Sequence, residues 1–179
     1  YKTARKKAIG LDYKELDVAY LKTNSKAVFN LYETVSDNAG VNSFKLQENH
    51  FYQLKVHLQD KFKVFGVFLE EKLVGFYTLI LNNEILETYF LGYNKELQHQ
   101  YQMYLNMLFN MASFGIENKF KTIVYARTAM EIKSSIGAKP HTMQFYINHT
   151  NNFIANTVLK CIVKYMNPIQ KWEERHPFT

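Results

Sequence analysis

Three consecutive β-type segments, separated by two very short turns, constrain the fold of this chain more than any other feature. The segments span 62–69, 73–81 and 84–93, and only residues 70–72 and 82–83 lie between them. All three are rich in Val, Ile, Leu, Phe and Tyr, which favour strands. Turns of two or three residues join antiparallel neighbours, because a parallel crossover needs a much longer connection. The sequence therefore predicts an antiparallel meander.

The rest of the chain alternates between helical and strand-like patterns. This order predicts an α/β (α+β) fold with a mixed, mainly antiparallel central sheet and helices on both faces. It excludes a Rossmann-type domain, because the early strands lack crossover helices. A cap at Asn24 or Ser25 is expected for the first long helix. The predicted elements outside the meander are helices at 26–38, 48–60, 97–118, 128–136 and 152–165, and strands at 120–125 and 143–147.

Positive charge is concentrated at the start of the chain. Without its first seven residues, the net charge of +6 falls to about +2. We therefore interpret residues 1–10 as a basic arm or linker remnant and residues 11–179 as a single domain. The arm either contacts a polyanion or forms a solvated helix end. The basic side chains concerned are Lys2, Arg5, Lys6 and Lys7.

The composition also bears on location and metal binding. The chain has one cysteine, Cys161, and therefore no internal disulfide, which is typical of a reducing compartment. No apolar run reaches the roughly 20 residues that span a bilayer, and no signal-peptide pattern is present. We expect a cytoplasmic protein with no membrane partner and with Cys161 in the core. The six histidines show no metal-ligand spacing, so we predict no metal site.

A junction between a strand and a helix, near residue 127, carries charged and hydroxyl side chains. Ligands bind at such junctions in open α/β folds. Arg127 either binds a phosphate or carboxylate group or pairs with a nearby acidic side chain. Thr128 and Glu131 have the spacing of a capping box, and the rival reading makes Glu131 a general base. Lys133 is either a phosphate contact or a solvated side chain.

Several stretches resemble a known family. The hairpin FGVFLEEKLVGFYTLIL resembles the central hairpin of the GNAT superfamily of acyl-CoA N-acyltransferases, and EILETYFLGYN resembles its fourth strand. More narrowly, LGY, MYLNML, ARTAMEIKSSIGA and NPIQKWEERHPF look like the GNAT-like domains of uncharacterised bacterial proteins. Those proteins are related to Fem-type aminoacyltransferases and to the peptidoglycan biosynthesis or recognition group. The resemblance covers roughly residues 11–178 and makes the chain a candidate C-terminal half of a two-domain protein.

The resemblance implies an activity and a site. It implies an N-acyltransferase that moves an acyl or aminoacyl group from a thioester or ester donor, most simply acyl-CoA, to a small-molecule or peptidyl amine. The donor would be a co-substrate, and no cofactor would be bound covalently. The fourth and fifth strands would splay apart around the acyl group. Tyr93 would serve as a general acid for the leaving thiolate unless it is only a core residue, and Tyr89, Gly92, Asn94 and Tyr104 would line the slot.

One departure from the family pattern leaves the function open. A typical GNAT enzyme binds the CoA pyrophosphate with a glycine-containing loop after the fourth strand, whereas residues 94–100 contain no glycine. Either CoA binds differently, or the donor is not CoA, or the chain is a non-catalytic ligand-binding or domain-docking module. A docked sister domain or a homodimer fits the last reading. Aminoacyl-tRNA is a minor alternative as donor, with the basic arm on the RNA; nucleic acid is otherwise not expected.

Overall fold

A computed structural model describes the helices and strands in most of the chain. That part is residues 1–37, 45–126, 128–143, 146, 150, 153–166 and 172–175. The chain divides into two units, Tyr1–Arg127 and Thr128–Thr179. In the first unit the elements are α1 (Lys2–Lys7), β1 (Leu11–Glu15), α2 (Val18–Ser36), α3 (His50–Leu58), a 3-10 turn (Gln59–Lys61), β2 (Phe62–Leu69), β3 (Lys72–Asn82), β4 (Ile85–Tyr93), α4 (Lys95–Tyr101), α5 (Met103–Glu117) and β5 (Thr122–Val124). The second unit contains α6 (Met130–Ser134) and α7 (Phe153–Met166).

The strands of the first unit form one sheet in the order β1-β2-β3-β4-β5. The first four strands run antiparallel, and β5 runs parallel to β4. The parallel step follows from the connection, because α4 and α5 cross over between β4 and β5. The predicted meander is confirmed, with each strand within two residues of its predicted bounds.

Two glycines show that helices cover both faces of the sheet. A Cβ atom at Gly92 of β4 would collide with the backbone of α2 at Leu31 and Tyr32. A Cβ atom at Gly75 of β3 would meet the methyl groups of Met107 and Met103 in α5, at 2.6 and 2.9 Å. Gly75 pairs with Tyr93, one residue along β4 from Gly92, so the two glycines point to opposite faces. The predicted fold class is confirmed.

Aromatic rings fill the core between the sheet and the α2/α3 layer. The Phe51 and Phe76 ring centroids lie 4.9 Å apart, and those of Tyr32 and Phe90 lie 5.4 Å apart, both edge to face. Phe62 and Phe76 are fully buried. Burying each such side chain away from water stabilises the fold by roughly 1.5–3 kcal/mol. Edge-to-face pairing of the rings adds a smaller amount. The abundance of Phe and Tyr therefore reflects packing.

The basic segment at the start of the chain forms α1 and packs on α5. Ala4 is buried, and its carbonyl accepts a hydrogen bond of 2.9 Å from the Asn106 Nδ2 atom. The Arg5 Nη1 atom donates to the Asn110 Oδ1 atom at 2.6 Å. Residues 2–7 thus belong to the first unit by contact. Their interpretation as a linker remnant, and of residues 11–179 as one domain, stays a prediction.

The structure corrects the predicted start of the first long helix. Asp17 precedes α2, and its side chain accepts a hydrogen bond of 2.7 Å from the Tyr20 backbone N–H, so the helix begins eight residues earlier than predicted. Asn24 and Ser25 do not cap it. Their side chains instead donate to carbonyls one turn back, and Asn24 marks a kink inside the helix. Such bonds let a helix continue with a bend.

The predicted helix at 97–118 is divided into α4 and α5. Gln102 lies between them in the left-handed conformation, with φ of 46°. The side-chain amide of Asn106 donates to the carbonyls of Tyr101 and Gln102 at 3.0 and 3.2 Å. Carbonyls at the break between the helices therefore still accept hydrogen bonds. Helical periodicity continues across this break, which is why the sequence pattern does not reveal it.

The second unit differs from its prediction in two further respects. Met143 and Tyr146 lie outside any strand, while 144–145 and 147 fall outside the described residues. Cys161 is exposed on α7, where Val158 is exposed too, so the prediction of a core cysteine is wrong. The apolar stripe of α7 misled the prediction because amphipathic spacing says nothing about which face is covered. Among the described residues, no helix combines the length and the apolar character needed to cross a bilayer.

A buried lysine ties β1 to α3 and β2. The Lys55 Nζ atom donates to the Glu15 Oε1 atom and to the Phe62 carbonyl, both at 2.9 Å, and Lys63 also donates to the Glu15 carboxylate at 3.1 Å. Burial raises the pKa of Glu15, but the hydrogen bonds and charges of the two lysines outweigh it, so the pKa is lowered overall. The ionised carboxylate therefore stabilises the folded state.

Gly92→Ala is expected to destabilise the first unit by roughly 1–3 kcal/mol, because the new methyl group meets helix backbone that cannot rotate away. Gly75→Ala is the matched control, since its methyl group meets the flexible ends of Met103 and Met107. Urea unfolding of both variants measures the difference. Equal losses of stability would contradict backbone contact between β4 and α2.

Glu15→Gln is expected to lower the free energy of unfolding at pH 7 and to lose this effect in acid. The folded-state pKa of Glu15 is lowered, so its contribution is present above the unfolded-state value and disappears as the pH falls through the folded-state value. Urea unfolding of the parent and the variant at pH 7 and at about pH 3 checks this. A difference that persists unchanged at the lower pH would show that the carboxylate charge is not the cause.

Candidate active site

Strands β4 and β5 separate after three paired residues. Ile85, Leu86 and Glu87 pair with Thr122, Ile123 and Val124, and β4 then continues alone on that side as far as its end, among the described residues. After β5 the chain turns onto α5, where the Tyr125 hydroxyl donates to the Leu108 carbonyl at 3.3 Å. Pairing on this side of β4 therefore stops where β5 ends, and the splay around an acyl group that the resemblance implies stays a prediction.

A β-bulge lies in the part of β4 that pairs with β3 but no longer with β5. Tyr77 pairs with Leu91 and Leu79 with Thr88, so two residues of β4, Tyr89 and Phe90, lie opposite one residue of β3. That residue is Thr78, which is buried. Its hydroxyl accepts a hydrogen bond from the Phe90 N–H and donates one to the Phe90 carbonyl, both at 2.8 Å. The side chain thus replaces the ladder bonds that the bulge disrupts.

Backbone donors of β4 face the gap, which is the unpaired side of that strand beyond the end of β5. The Asn94 N–H donates to the Val74 carbonyl at 2.8 Å, which fixes the alternation of hydrogen bonds between β3 and β4. Residues of an antiparallel pair direct their backbone groups toward and away from the partner in turn. Leu91 and Tyr93 therefore direct their N–H groups away from β3, toward the side from which β5 has departed. Two such donors suit an oxygen atom that gains negative charge.

Two tyrosine rings meet on the face of β4 that packs against α5. The ring centroids of Tyr93 and Tyr104 are 6.2 Å apart. Burial raises the pKa of Tyr93, and burial together with the neighbouring Tyr93 raises the pKa of Tyr104 to about 12. Both hydroxyls are therefore protonated at neutral pH and can donate a proton or a hydrogen bond.

The remaining β4 candidates have structural roles. Gly92 provides the close approach to α2, and the Asn94 side chain accepts a hydrogen bond of 2.9 Å from the Glu96 N–H at the start of α4. The structure thus brings the predicted residues Tyr89, Gly92, Tyr93, Asn94 and Tyr104 together along one strand and the helix behind it.

A histidine that the sequence analysis did not single out lies beside the bulge. The His50 Nε2 atom, at the start of α3, is 3.2 Å from the Tyr89 hydroxyl oxygen, and the rings stack with centroids 6.0 Å apart. Burial lowers the pKa of His50 and raises that of Tyr89, which the nearby Tyr32 raises further. His50 was missed because it is 39 residues from Tyr89 in sequence and belongs to no motif. Thr78 was missed because a threonine in a strand carries no signal.

Helix α4 occupies the place where the resemblance would put a glycine-containing phosphate loop. The Gln98 Oε1 atom accepts a hydrogen bond of 2.9 Å from the Tyr104 N–H, in the first turn of α5. One of the donors that a phosphate group would use is therefore already bonded to a side chain. The lack of glycine in this stretch is thus accompanied by a different local structure.

The predicted site residues near 127 belong to other contacts or lie outside the described residues. Arg127 lies outside them. Thr128 does not cap α6: Ala129 precedes that helix in the left-handed conformation, with φ of 57° and no side-chain cap, so the predicted capping box is wrong. Glu131 is exposed, and its Oε2 atom lies 3.6 Å from the Arg175 Nη2 atom. This ion pair, rather than a cap, is what the Glu131 carboxylate forms.

The structure contradicts one of the two interpretations of Lys133. It is 7% exposed, so the reading as a solvated side chain is wrong. Burial lowers its pKa to about 8. Its prediction as a phosphate contact, like the functional roles predicted for Arg127, Thr128 and Glu131, stays a prediction. Among the described residues, no three His, Cys, Asp or Glu side chains cluster as metal ligands.

Comparison with solved structures identifies the fold. An aminoglycoside acetyltransferase from an uncultured soil metagenomic sample, crystallised with sisomicin, is similar over 79% of this chain and 97% of its own, with 19% identity and a TM-score of 0.55. A possible acetyltransferase from Clostridium difficile 630 matches over 79% and 99%, with 16% identity and a TM-score of 0.55. A GNAT family acetyltransferase from Staphylococcus aureus matches over 79% and 100%, with 12% identity and a TM-score of 0.53. The chain therefore has the fold of these acetyltransferases.

Other comparisons gave no match. No model of a known protein family matches the chain, and no curated protein matches it. The similarity is thus one of fold.

Thr78→Val is expected to destabilise the protein by about 1–3 kcal/mol, because it leaves the Phe90 N–H and carbonyl without their partner. Thr78→Ser retains the hydroxyl and is expected to lose much less. Urea unfolding, together with hydrogen exchange at the Phe90 amide, measures both effects. Equal behaviour of the two variants would show that the lost methyl group, not the hydroxyl, is what matters.

Proposed function

We propose that the chain is an N-acyltransferase that moves an acyl group from a thioester to an amine at the bulge of β4. The single observation that supports this most is the gap beside β4, where the Leu91 and Tyr93 N–H groups face a side of the strand that β5 has left. The fold that the chain shares with solved acetyltransferases supports the proposal. Its similarity to an enzyme crystallised with sisomicin favours a small-molecule amine as acceptor.

The chemistry follows from the arrangement of donors. The thioester carbonyl oxygen lies at the Leu91 and Tyr93 N–H groups, which stabilise the negative charge of the tetrahedral intermediate. The amine nitrogen attacks the carbonyl carbon, and the C–S bond breaks. The Tyr93 hydroxyl, protonated at neutral pH because burial raises its pKa, gives its proton to the leaving thiolate. The Tyr104 ring beside it keeps this region apolar.

The donor is acyl-CoA, used as a co-substrate. Helix α4 replaces a glycine-containing loop, so the pyrophosphate is held by side chains or not at all. The same feature supports the alternative proposal, a non-catalytic GNAT-like module that binds a ligand or docks onto another domain. Binding without turnover separates the two.

Narrower assignments from the sequence stay proposals. They are a relation to Fem-type aminoacyltransferases, a peptidyl acceptor, an aminoacyl-tRNA donor, a sister domain or homodimer, and a cytoplasmic location. The similar structures reported above are acetyltransferases, not aminoacyltransferases. Glu131 as general base also stays a proposal, and its exposure and its pairing with Arg175 do not favour it.

Acetyl-CoA is expected to shift the backbone amide NMR signals of Leu91 and Tyr93, because their N–H groups would bind the thioester oxygen. Lys14, on the exposed side of the edge strand β1, is expected to stay unshifted and serves as the internal control. A titration of the 15N-labelled chain measures this. Shifts confined to β1, or no shifts at millimolar acetyl-CoA, would contradict a donor site in the gap.

Tyr93→Phe is expected to lower kcat by at least about 100-fold, as for removal of a general acid, while acetyl-CoA still binds. Tyr20→Phe, which removes a hydroxyl in α2 next to Phe68, is the control and keeps the parent rate. Release of free thiol in the presence of an amine measures kcat. A parental rate in the Tyr93 variant would assign this tyrosine to packing alone.

A further inference from the structure

We propose that Tyr89 and His50 form the proton-accepting pair for the acceptor amine, and that this amine is carried on an aromatic body. The inference rests on the proposed function and adds to it a residue from a second element, α3. It starts from one contact, the 3.2 Å approach between the His50 Nε2 atom and the Tyr89 hydroxyl oxygen at the bulge.

The bulge assigns the two substrates to opposite faces of the sheet. Tyr93 pairs with Gly75, whose missing side chain faces α5, so Tyr93 points to the α5 face, where its ring meets that of Tyr104. Tyr89 points to the other face, where it contacts His50 of α3 and Phe62. In the proposed arrangement, a thioester carbonyl bound at the edge of β4 has its leaving sulfur on the face of the sheet that carries Tyr93. Its open face lies toward Tyr89 and His50, from which the amine attacks.

The protonation states suit this role. Burial lowers the pKa of His50, so its imidazole is neutral at pH 7, and burial raises the pKa of Tyr89, so its phenol is intact. The proposal uses the tautomer with the His50 proton on Nδ1, in which the Tyr89 hydroxyl donates to the His50 Nε2 atom. The Tyr89 oxygen retains lone pairs that can accept an amine N–H.

Few charged groups face the pair. Tyr89 approaches His50 from β4, and Tyr32 of α2 lies behind it. Glu48, just before α3, is exposed, and Glu87 of β4 accepts a hydrogen bond from the Asn82 amide at 2.9 Å. Among the described residues, no carboxylate forms an ion pair with His50, in accord with burial as the cause of its lowered pKa.

The proton path balances. The amine reacts in its neutral form, after the ammonium has released one proton to water. As its nitrogen bonds to the carbonyl carbon, an N–H proton passes to the Tyr89 oxygen, and the Tyr89 proton passes to the His50 Nε2 atom. The C–S bond then breaks, and the thiolate takes the Tyr93 proton. The imidazolium releases its proton to water, and water returns one to Tyr93. The products are an amide and a free thiol.

The surroundings of the pair define the class of acceptor. Tyr89 is 38% exposed, and its ring lies against that of Phe90, with centroids 4.5 Å apart. The His50 ring completes this aromatic surface. Aromatic faces bind aromatic bodies and a single cation, whereas a polycation needs several carboxylates. The expected acceptor is thus an aromatic monoamine, and an aminoglycoside is expected to be a poor one.

The test uses the full chain with acetyl-CoA as donor and tyramine or sisomicin as acceptor. His50→Gln and Tyr89→Phe are expected to lower kcat with tyramine by at least about 100-fold, with an unchanged Kd for acetyl-CoA and an unchanged Tm. His57→Gln, an exposed histidine seven residues later in α3, is the matched control and retains the parent kcat. Tyramine is expected to exceed sisomicin in kcat/KM by at least tenfold.

The pH profile separates a proton acceptor from a residue that only shapes the site. In the parent chain kcat is expected to fall as the pH drops through the lowered pKa of His50, below its usual value near 6.5, because the imidazolium accepts no proton. His50→Gln is expected to remove this acid limb, and Glu87→Gln is expected to keep it. Loss of the limb in the Glu87 variant alone would overturn the assignment.

The outcomes distinguish the inference from the function on which it rests. If the parent chain does not bind acetyl-CoA, the proposed function fails and the inference fails with it. If the parent chain binds acetyl-CoA and acetylates an amine, but His50→Gln keeps its kcat and acid limb, only the proton-accepting pair is refuted. Sisomicin as the better acceptor would refute the aromatic acceptor and leave the acyltransferase in place.

Discussion

The structure depends on one direct contact between backbones, that of Gly92 in β4 with α2 at Leu31 and Tyr32. Because no side chain separates strand and helix there, the distance between the sheet and the α2/α3 layer is fixed by main-chain atoms. Aromatic rings then fill the space on either side of the contact. The position of α3, and with it that of His50, follows from this spacing.

A second constraint acts along β4 itself. The extra residue of the bulge turns Tyr89 and Phe90 toward the same face, while Tyr93 keeps the opposite one. The strand thus presents different side chains to its two sides at the point where its neighbour β5 has ended. In the reaction proposed above, this one local irregularity separates the side on which the new bond forms from the side on which the C–S bond breaks.

The sequence predicted the sheet well because its signals are local. Short turns and β-branched or aromatic runs specify the meander, and helical spacing specifies α3 and most of α5. It failed where the backbone departs locally from the regular helix: the kink at Asn24, the break at Gln102 and the left-handed Ala129 leave hydropathy unchanged. The site was predicted in part. Tyr89 and Tyr93 follow from the family resemblance, whereas Thr78 and His50 acquire their roles only when separate elements meet in the fold.

Thr78 has a consequence for recognising related chains. Its hydroxyl both accepts from and donates to the same residue, and it does so from a fully buried position. Only serine and threonine offer a donor and an acceptor on one atom at that short reach. A hydroxyl residue six positions after the start of a KLVGF-like step is therefore expected in related chains that keep the bulge. An apolar residue at that position would leave the Phe90 N–H and carbonyl without their partner.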